Sequence, residues 1–269
     1  MKWPSEAIWE AVVSDLPGFT VEILPEIDST NTELMRRAKA GRLEPILLVA
    51  ERQTAGRGRL GRVWSSEVAV ETTQTQLASL TFSLGLPLAP ENWSGLSLAV
   101  GISVAQGLHP GLRLKWPNDI WLHDRKLAGI LIETASFGEI RYVVIGIGIN
   151  IAPRDAQGLS TPPAWLQELQ PGMDAASALQ NIVQPLMRAI RQFEQFGFVP
   201  FQQAFNTLDV LQGRAVLLSD GSSGEARGVD ASGALLLRTA DGVKKITSAE
   251  VSVRPAMVAQ AAANLADGA

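Results

Sequence analysis

The sequence predicts an α+β fold: one mixed β-sheet flanked by helices, followed by a small β-barrel-like module. Three observations carry this. Apolar runs of strand length alternate with helix-period segments up to about residue 150, two helical patterns follow, and from Gly213 the chain changes to short apolar segments separated by turn dipeptides. With 269 residues, 46% of them apolar and 19% charged, one large and one small domain are expected.

Asp28-Ser29-Thr30-Asn31 opens the first clear element. Thr30 and Glu33 have capping-box spacing, Leu34, Met35 and Ala38 form an apolar face, and a helix of about three turns should run to Gly41. Residues 46–50 and 77–84 read as strands, and 93–108 have the spacing of a buried helix. Further strands are expected at 112–116, 120–122, 129–133 and 140–149, the last two apolar enough to be central. Prolines between Pro153 and Pro171 predict a loop-rich connection. Ile182, Pro185, Leu186, Ala189, Ile190 and Phe193 then mark one helix, and Phe201, Phe205 and Leu208 a second, with Gly197 between them. Asp220-Gly221, Ser232-Gly233 and Asp241-Gly242 punctuate the C-terminal module of about five strands. The Ala-rich end, 256–269, reads as a frayed tail.

Composition excludes several chemistries. Cysteine is absent, which removes disulfides, thiolate catalysis and cysteine-ligated metals. His109 and His123 lack metal-ligand spacing. A net charge of −4 argues against a nucleic-acid-coating protein, so no nucleic-acid partner is expected. With no membrane-length apolar tract and no export-signal pattern at the start, no membrane association and a cytoplasmic location are expected.

The most informative segment runs from Glu51 to Trp64. Gly56, Gly58 and Gly61 fall in dinucleotide-fold spacing, yet interleaved arginines and a following Val63-Trp64-Ser65-Ser66 do not read as a Rossmann loop entering a helix. Glycines permit close backbone approach, and Arg57, Arg59 and Arg62 present guanidinium forks, a combination suited to a polyanion. Mutual repulsion of these cations predicts that the loop orders on ligand binding. A second constellation is Lys115-Trp116-Pro117-Asn118-Asp119, with Lys126 opening an apolar strand that reaches Glu133. Asp119 suits Mg²⁺, which takes one or two carboxylates plus substrate phosphates, and Asn118 suits a nucleotide or metal-bound water. The same Asn-Asp pair also serves as an ordinary turn former, and Lys126 as a lysine reaching solvent.

These residues, with Ser29-Thr30-Asn31 and Gly146-Ile147-Gly148-Ile149-Asn150, resemble the biotin–protein ligase family in order and spacing from about Val21 to Pro255. The resemblance implies a class II synthetase-like catalytic domain over 21–211, an SH3-like module over 212–255 and an N-terminal extension over 1–20. It implies biotin recognition by Ser29, Thr30, Asn31 and Gln53, with Arg57, Gly58 and Arg59 closing over biotin and the adenylate. Lys126 is implied to contact the biotin carboxylate and reacting phosphate, so Lys126 and Arg59 carry the electrostatic work of catalysis. Arg62, Trp64, Asn118 and Asn150 are implied to bind ATP, and Asp119 to hold Mg²⁺. The implied reaction forms biotinyl-5′-AMP and transfers biotin to a lysine of the biotin carboxyl carrier domain of acetyl-CoA carboxylase.

Leu60 stands where many relatives carry another arginine, residues 65–76 are more polar than the family pattern, and Ser248-Ala249-Glu250 replaces a more usual Ser-Gly-Glu. About two dozen residues precede Asp28, too few for the helix-turn-helix domain of bifunctional members, so the resemblance is to the ligase-only form. A lipoate–protein ligase or octanoyltransferase, and a biotin- or nucleotide-sensing protein without turnover, are the rival readings. Relatives dimerise through sheet contacts, which leaves monomer and homodimer both open.

Overall fold

The computed structural model describes residues 2–65, 77–153, 163–247 and 253–255. The tail at 256–269, the segment 66–76 and Ser248-Ala249-Glu250 lie outside the described residues.

The chain folds in the order α1 (Ser5–Val13), β1 (Thr20–Ile27), α2 (Thr30–Lys39), β2 (Ile46–Gln53), β3 (Ser79–Pro87), α3 (Leu96–Leu108), β4 (Arg113–Lys115), β5 (Asp119–Leu122), β6 (Arg125–Phe137) and β7 (Ile140–Asn150). Two further helices, α4 (Ala175–Phe196) and α5 (Gln202–Leu208), precede β8 (Ala215–Leu218), β9 (Ser223–Val229), β10 (Leu235–Thr239), β11 (Gly242–Ile246) and β12 (Val253–Pro255). The first sheet is seven-stranded, ordered β1-β2-β3-β7-β6-β5-β4, and mixed because β1 pairs β2 in parallel while its other pairs are antiparallel. As the apolar runs predicted, β7 lies at the centre. Burial on both faces explains why β3 and β7 lack the alternation of a half-exposed strand.

The C-terminal module is a five-stranded antiparallel sheet in the row β11-β10-β9-β8-β12. Its turns fall at the expected dipeptides, where Gly221, Gly233 and Gly242 take φ of 86°, 81° and 119°. It is not a detached unit. Leu235, Leu237 and Val216 belong to the same buried cluster as Leu80, Phe82 and Phe193, and the Trp116 indole donates to Gly233 O at 3.1 Å.

The stretch 1–20, expected as an N-terminal extension, holds α1, which buries Ile8 and Val12 against the main core and packs on β1 and α4. One expectation needs correcting. The capping box of Thr30 and Glu33 does not form. Ser29 is the N-cap, accepting from Thr32 N at 3.4 Å, because the Thr30 hydroxyl turns inward to Gln53 and Ser83 while Glu33 pairs with Arg36 and Arg37.

Candidate active site

The sheet positions its polar residues by parity. Residues two apart on a strand share a face, so Gly146, Gly148 and Asn150 of β7 lie in a row, the first and last about 13 Å apart. All three line a cavity of about 630 Å³, the size of a small-molecule site. Every site residue singled out in the sequence lines it too: Ser29, Thr30, Asn31, Gln53, Arg57, Gly58, Arg59, Arg62, Trp64, Asn118, Asp119, Lys126 and Asn150.

One end is neutral and densely hydrogen-bonded. Gln53 Oε1 accepts from Thr30 N at 2.8 Å, and Asn31 Nδ2 donates to Glu133 Oε2 at 2.9 Å. Ser29, Thr30 and Asn31 are almost wholly buried. A side chain at Gly146 would strike Asn31 Oδ1, so glycine is required for the strand to pass beneath that amide.

The other end is aromatic. The Trp64 indole lies against Gly148, where a Cβ would run into its ring, and Gly148 pairs across the sheet with Gly129. The two glycines make a flat floor for the indole. Asn150 Nδ2 donates to Ala164 O at 2.9 Å and Lys126 O at 3.3 Å, tying the end of β7 to β6.

Two lysines gather beside the aromatic end, over β5 and β6. Lys126 Nζ sits 2.7 Å from Asp119 Oδ1 and 5.9 Å from the Trp64 ring centre. Lys115 Nζ stands 4.0 Å from Asp119 Oδ2 and 5.1 Å from the Trp121 ring. Arg59 Nη1 donates to Asn118 Oδ1 at 3.3 Å, while Asn118 Nδ2 donates to Ile130 O at 2.8 Å. Burial pushes the Arg59 guanidinium pKa down; the Asp119 charge opposes this and the Arg62 charge adds to it. An anion would offset that desolvation. Among the described residues no cluster of metal-ligating side chains of three or more exists, so Asp119 offers a metal one carboxylate, with the remaining ligands to come from substrate and water.

The arginine-glycine loop is a closed hairpin, not a Rossmann turn. Gly58 N donates to Arg62 O at 2.7 Å, Trp64 N to Gly56 O at 2.9 Å, and Arg57 bridges to Val63. Arg59–Gly61 forms a single 3-10 turn, with Leu60 at φ 56° and Gly61 at φ 70°. Leu60 is exposed and left-handed, a conformation that costs an L-residue with a Cβ about 1 kcal/mol or more. Arg57 reaches Glu133 Oε1 at 3.2 Å, fastening the loop to β6.

Sequence reasoning passed over Ser83 and Trp121 and named Glu133 only as the end of a strand. Ser83 did carry a signal, as the last of three polar residues, Ser79, Thr81 and Ser83, spaced two apart in a buried strand. The two histidines stay outside the cavity lining, and His109 Nδ1 accepts from Gly111 N at 3.0 Å.

Residues 23–150 match the biotin/lipoate A/B protein ligase family, and residues 213–254 match the biotin protein ligase C-terminal domain. The chain is 38% identical over 258 residues to the bifunctional ligase/repressor BirA of Escherichia coli strain K12, covering 91% of this chain and 77% of that protein. It is 32% identical over 245 residues to the biotin–[acetyl-CoA-carboxylase] ligase of Paracoccus denitrificans, covering 85% of this chain and 98% of the relative. Among solved structures, the Aquifex aeolicus biotin protein ligase in complex with biotin and ATP superposes with TM-score 0.72 at 30% identity, covering 87% of this chain and 98% of that one.

Proposed function

The chain belongs to the biotin/lipoate A/B protein ligase family, and on that premise we propose that it is a biotin–protein ligase. It activates biotin with ATP and passes the acyl group to a lysine of a biotin carboxyl carrier domain. The single observation that supports this best is the row Gly146, Gly148, Asn150, which sets a buried amide pocket and an aromatic shelf about 7 Å apart in one cavity, with Lys126 beside the shelf.

In the first half-reaction a biotin carboxylate oxygen bonds to the α-phosphorus of ATP as the bond to pyrophosphate breaks. In the second, a carrier lysine amine attacks the acyl carbon of biotinyl-5′-AMP, and AMP leaves with the anhydride oxygen. No enzyme nucleophile is required. The chain must instead hold two anions in line and stabilise charge as it develops.

Ser29, Thr30, Asn31 and Gln53 take the ring system of biotin at the neutral end. Arg57, Gly58 and Arg59 cover the junction, Lys126 meets the carboxylate and α-phosphate, and Arg62 meets the outer phosphates. Trp64, Asn118 and Asn150 bind the nucleoside. Mg²⁺ fits Asp119, because one carboxylate is what this cation takes from a protein when phosphates and water complete its shell. It supplies charge neutralisation of the phosphates. The same carboxylate lies 2.7 Å from Lys126 Nζ.

The proposal extends to a cytoplasmic location, where carrier, ATP and biotin meet; no helix among the described residues is long and apolar enough to cross a membrane. Oligomeric state enters as two alternatives, monomer and homodimer, which sedimentation with biotin and ATP separates. The deciding experiment mixes the purified chain with ATP, Mg²⁺ and a carrier domain, with biotin or lipoate as acyl substrate. Biotin-dependent pyrophosphate release and carrier labelling are expected; lipoate-dependent labelling, or binding without turnover, would overturn the reading.

A further inference from the structure

Ser83 is fully buried on β3 beneath the neutral end of the cavity, and its hydroxyl joins two of the residues that line it. Its Oγ lies 2.7 Å from Thr30 Oγ1 and 2.6 Å from Asn31 Oδ1, while Thr30 Oγ1 also lies 3.1 Å from Gln53 Oε1. The direction of each proton follows by elimination. Asn31 Nδ2 faces Leu131 O and Glu133 Oε2, both acceptors, so the other side of that amide is its oxygen and has no proton to give. Gln53 Oε1 is fixed in the same way by the Thr30 N–H. Three oxygen–oxygen contacts are therefore served by two hydroxyl protons. Ser83 must donate to Asn31, since a bare contact of two oxygens at 2.6 Å would be repulsive. Thr30 then donates over the shorter of its contacts, to Ser83.

We propose that Ser83 is the positioning residue of the acyl pocket: by taking the Thr30 proton and giving its own to Asn31, it leaves Thr30 with only lone pairs for the ligand. The pocket thereby selects a substrate that offers a hydrogen-bond donor at Thr30, as the N–H groups of a cyclic urea do. This rests on the reading of that end as the biotin end. A ligand presenting a carbonyl there would meet two acceptors and leave a buried polar group unpaired.

Calorimetric titration with biotin and, separately, with a non-hydrolysable ATP analogue tests it. Ser83→Ala is expected to weaken biotin about tenfold, the cost of a misaligned buried partner, and to leave the ATP analogue within about twofold. Thr30→Val should weaken biotin similarly, and the double variant should be no weaker than Thr30→Val alone, because both changes remove one hydrogen-bonded unit. A merely structural Ser83 would lower the melting temperature while its effect on biotin affinity added to that of Thr30→Val, and that result would overturn the proposal. If Ser83→Ala does not fold, Ser83→Cys keeps the shape with a poor donor; biotin bound by it at full strength would overturn the proposal, and an intermediate loss would support it. A wild-type chain that fails to bind biotin overturns the functional reading as well. Tight biotin binding by both wild type and Ser83→Ala overturns only the Ser83 assignment.

Discussion

Lys126 and Asp119 face each other across β5 and β6, Nζ to Oδ1 at 2.7 Å, although strict strand alternation would have put them on opposite faces of the sheet. Asp119 pairs with Gly129, three residues from Lys126, and odd separations on a strand point opposite ways. A bulge restores the parity. Ile120 pairs Ala128 while Trp121 pairs Lys126, so Leu127 is the extra residue, and Lys126 turns to the cavity side, close to Gly129.

Lys126→Ala should lower biotin-dependent ATP–pyrophosphate exchange by about 10²–10³, the scale of losing one preorganised charge donor. The fold should survive, since the Lys126 side chain is partly exposed and Asp119 keeps Lys115 at 4.0 Å. Unchanged turnover would remove Lys126 from the mechanism.

Asp119→Asn tests the metal assignment from the other side. With its one carboxylate gone, the Mg²⁺ concentration giving half-maximal exchange should rise about tenfold or more, while biotin affinity measured without metal stays near wild type. An unaltered Mg²⁺ dependence would sink the assignment.

Leu60 is exposed at the tip of the arginine-glycine hairpin. Leu60→Arg adds a cation facing the phosphates, so the KM for ATP should fall a few-fold at low ionic strength. The gain should vanish by about 0.5 M salt, where screening shortens to a few ångströms. A salt-independent gain would point to relieved backbone strain at φ 56° instead, which Leu60→Gly would reproduce.

Gly148→Ala would drive a methyl group into the Trp64 indole. The expected result is a KM for ATP raised about tenfold with biotin affinity little changed, because Asn31 sits over Gly146 instead. Equal losses for both substrates would argue against a divided cavity.

Asp209 gives a pH dependence of stability. Burial pushes its carboxyl up to about 6, only partly offset by the Leu211 N–H donating to Oδ1 at 2.9 Å, and Oδ2 has no hydrogen-bond partner among the described residues. A folded pKa above the unfolded value means the native state holds the proton longer, so this group lowers stability as pH rises from about 4 to about 6 and stays unfavourable above. Asp209→Asn should therefore stabilise the protein at pH 8, by on the order of 2–3 kcal/mol, with the difference closing near pH 4. Melting curves across that range check it; a pH-independent difference would contradict it.

Local pattern by itself determined much of this protein. Strands β2 to β7, the buried α3, the α4–α5 pair and the turns at Gly221, Gly233 and Gly242 were legible because apolar periodicity and turn chemistry act over a few residues, whereas β1 was not. The polyanion loop and the lysine-aspartate strands were legible as residue types, and all of them reached one cavity. What tertiary structure decided was which way side chains point and what they meet. The Leu127 bulge turned Lys126 toward Asp119, Thr30 gave up its capping box because Ser83 lies 2.7 Å away across 53 residues, and α1 became core by meeting α4. Each depends on contacts between segments distant in the chain, and a one-residue change of register there reverses a face without changing the composition that a sequence displays.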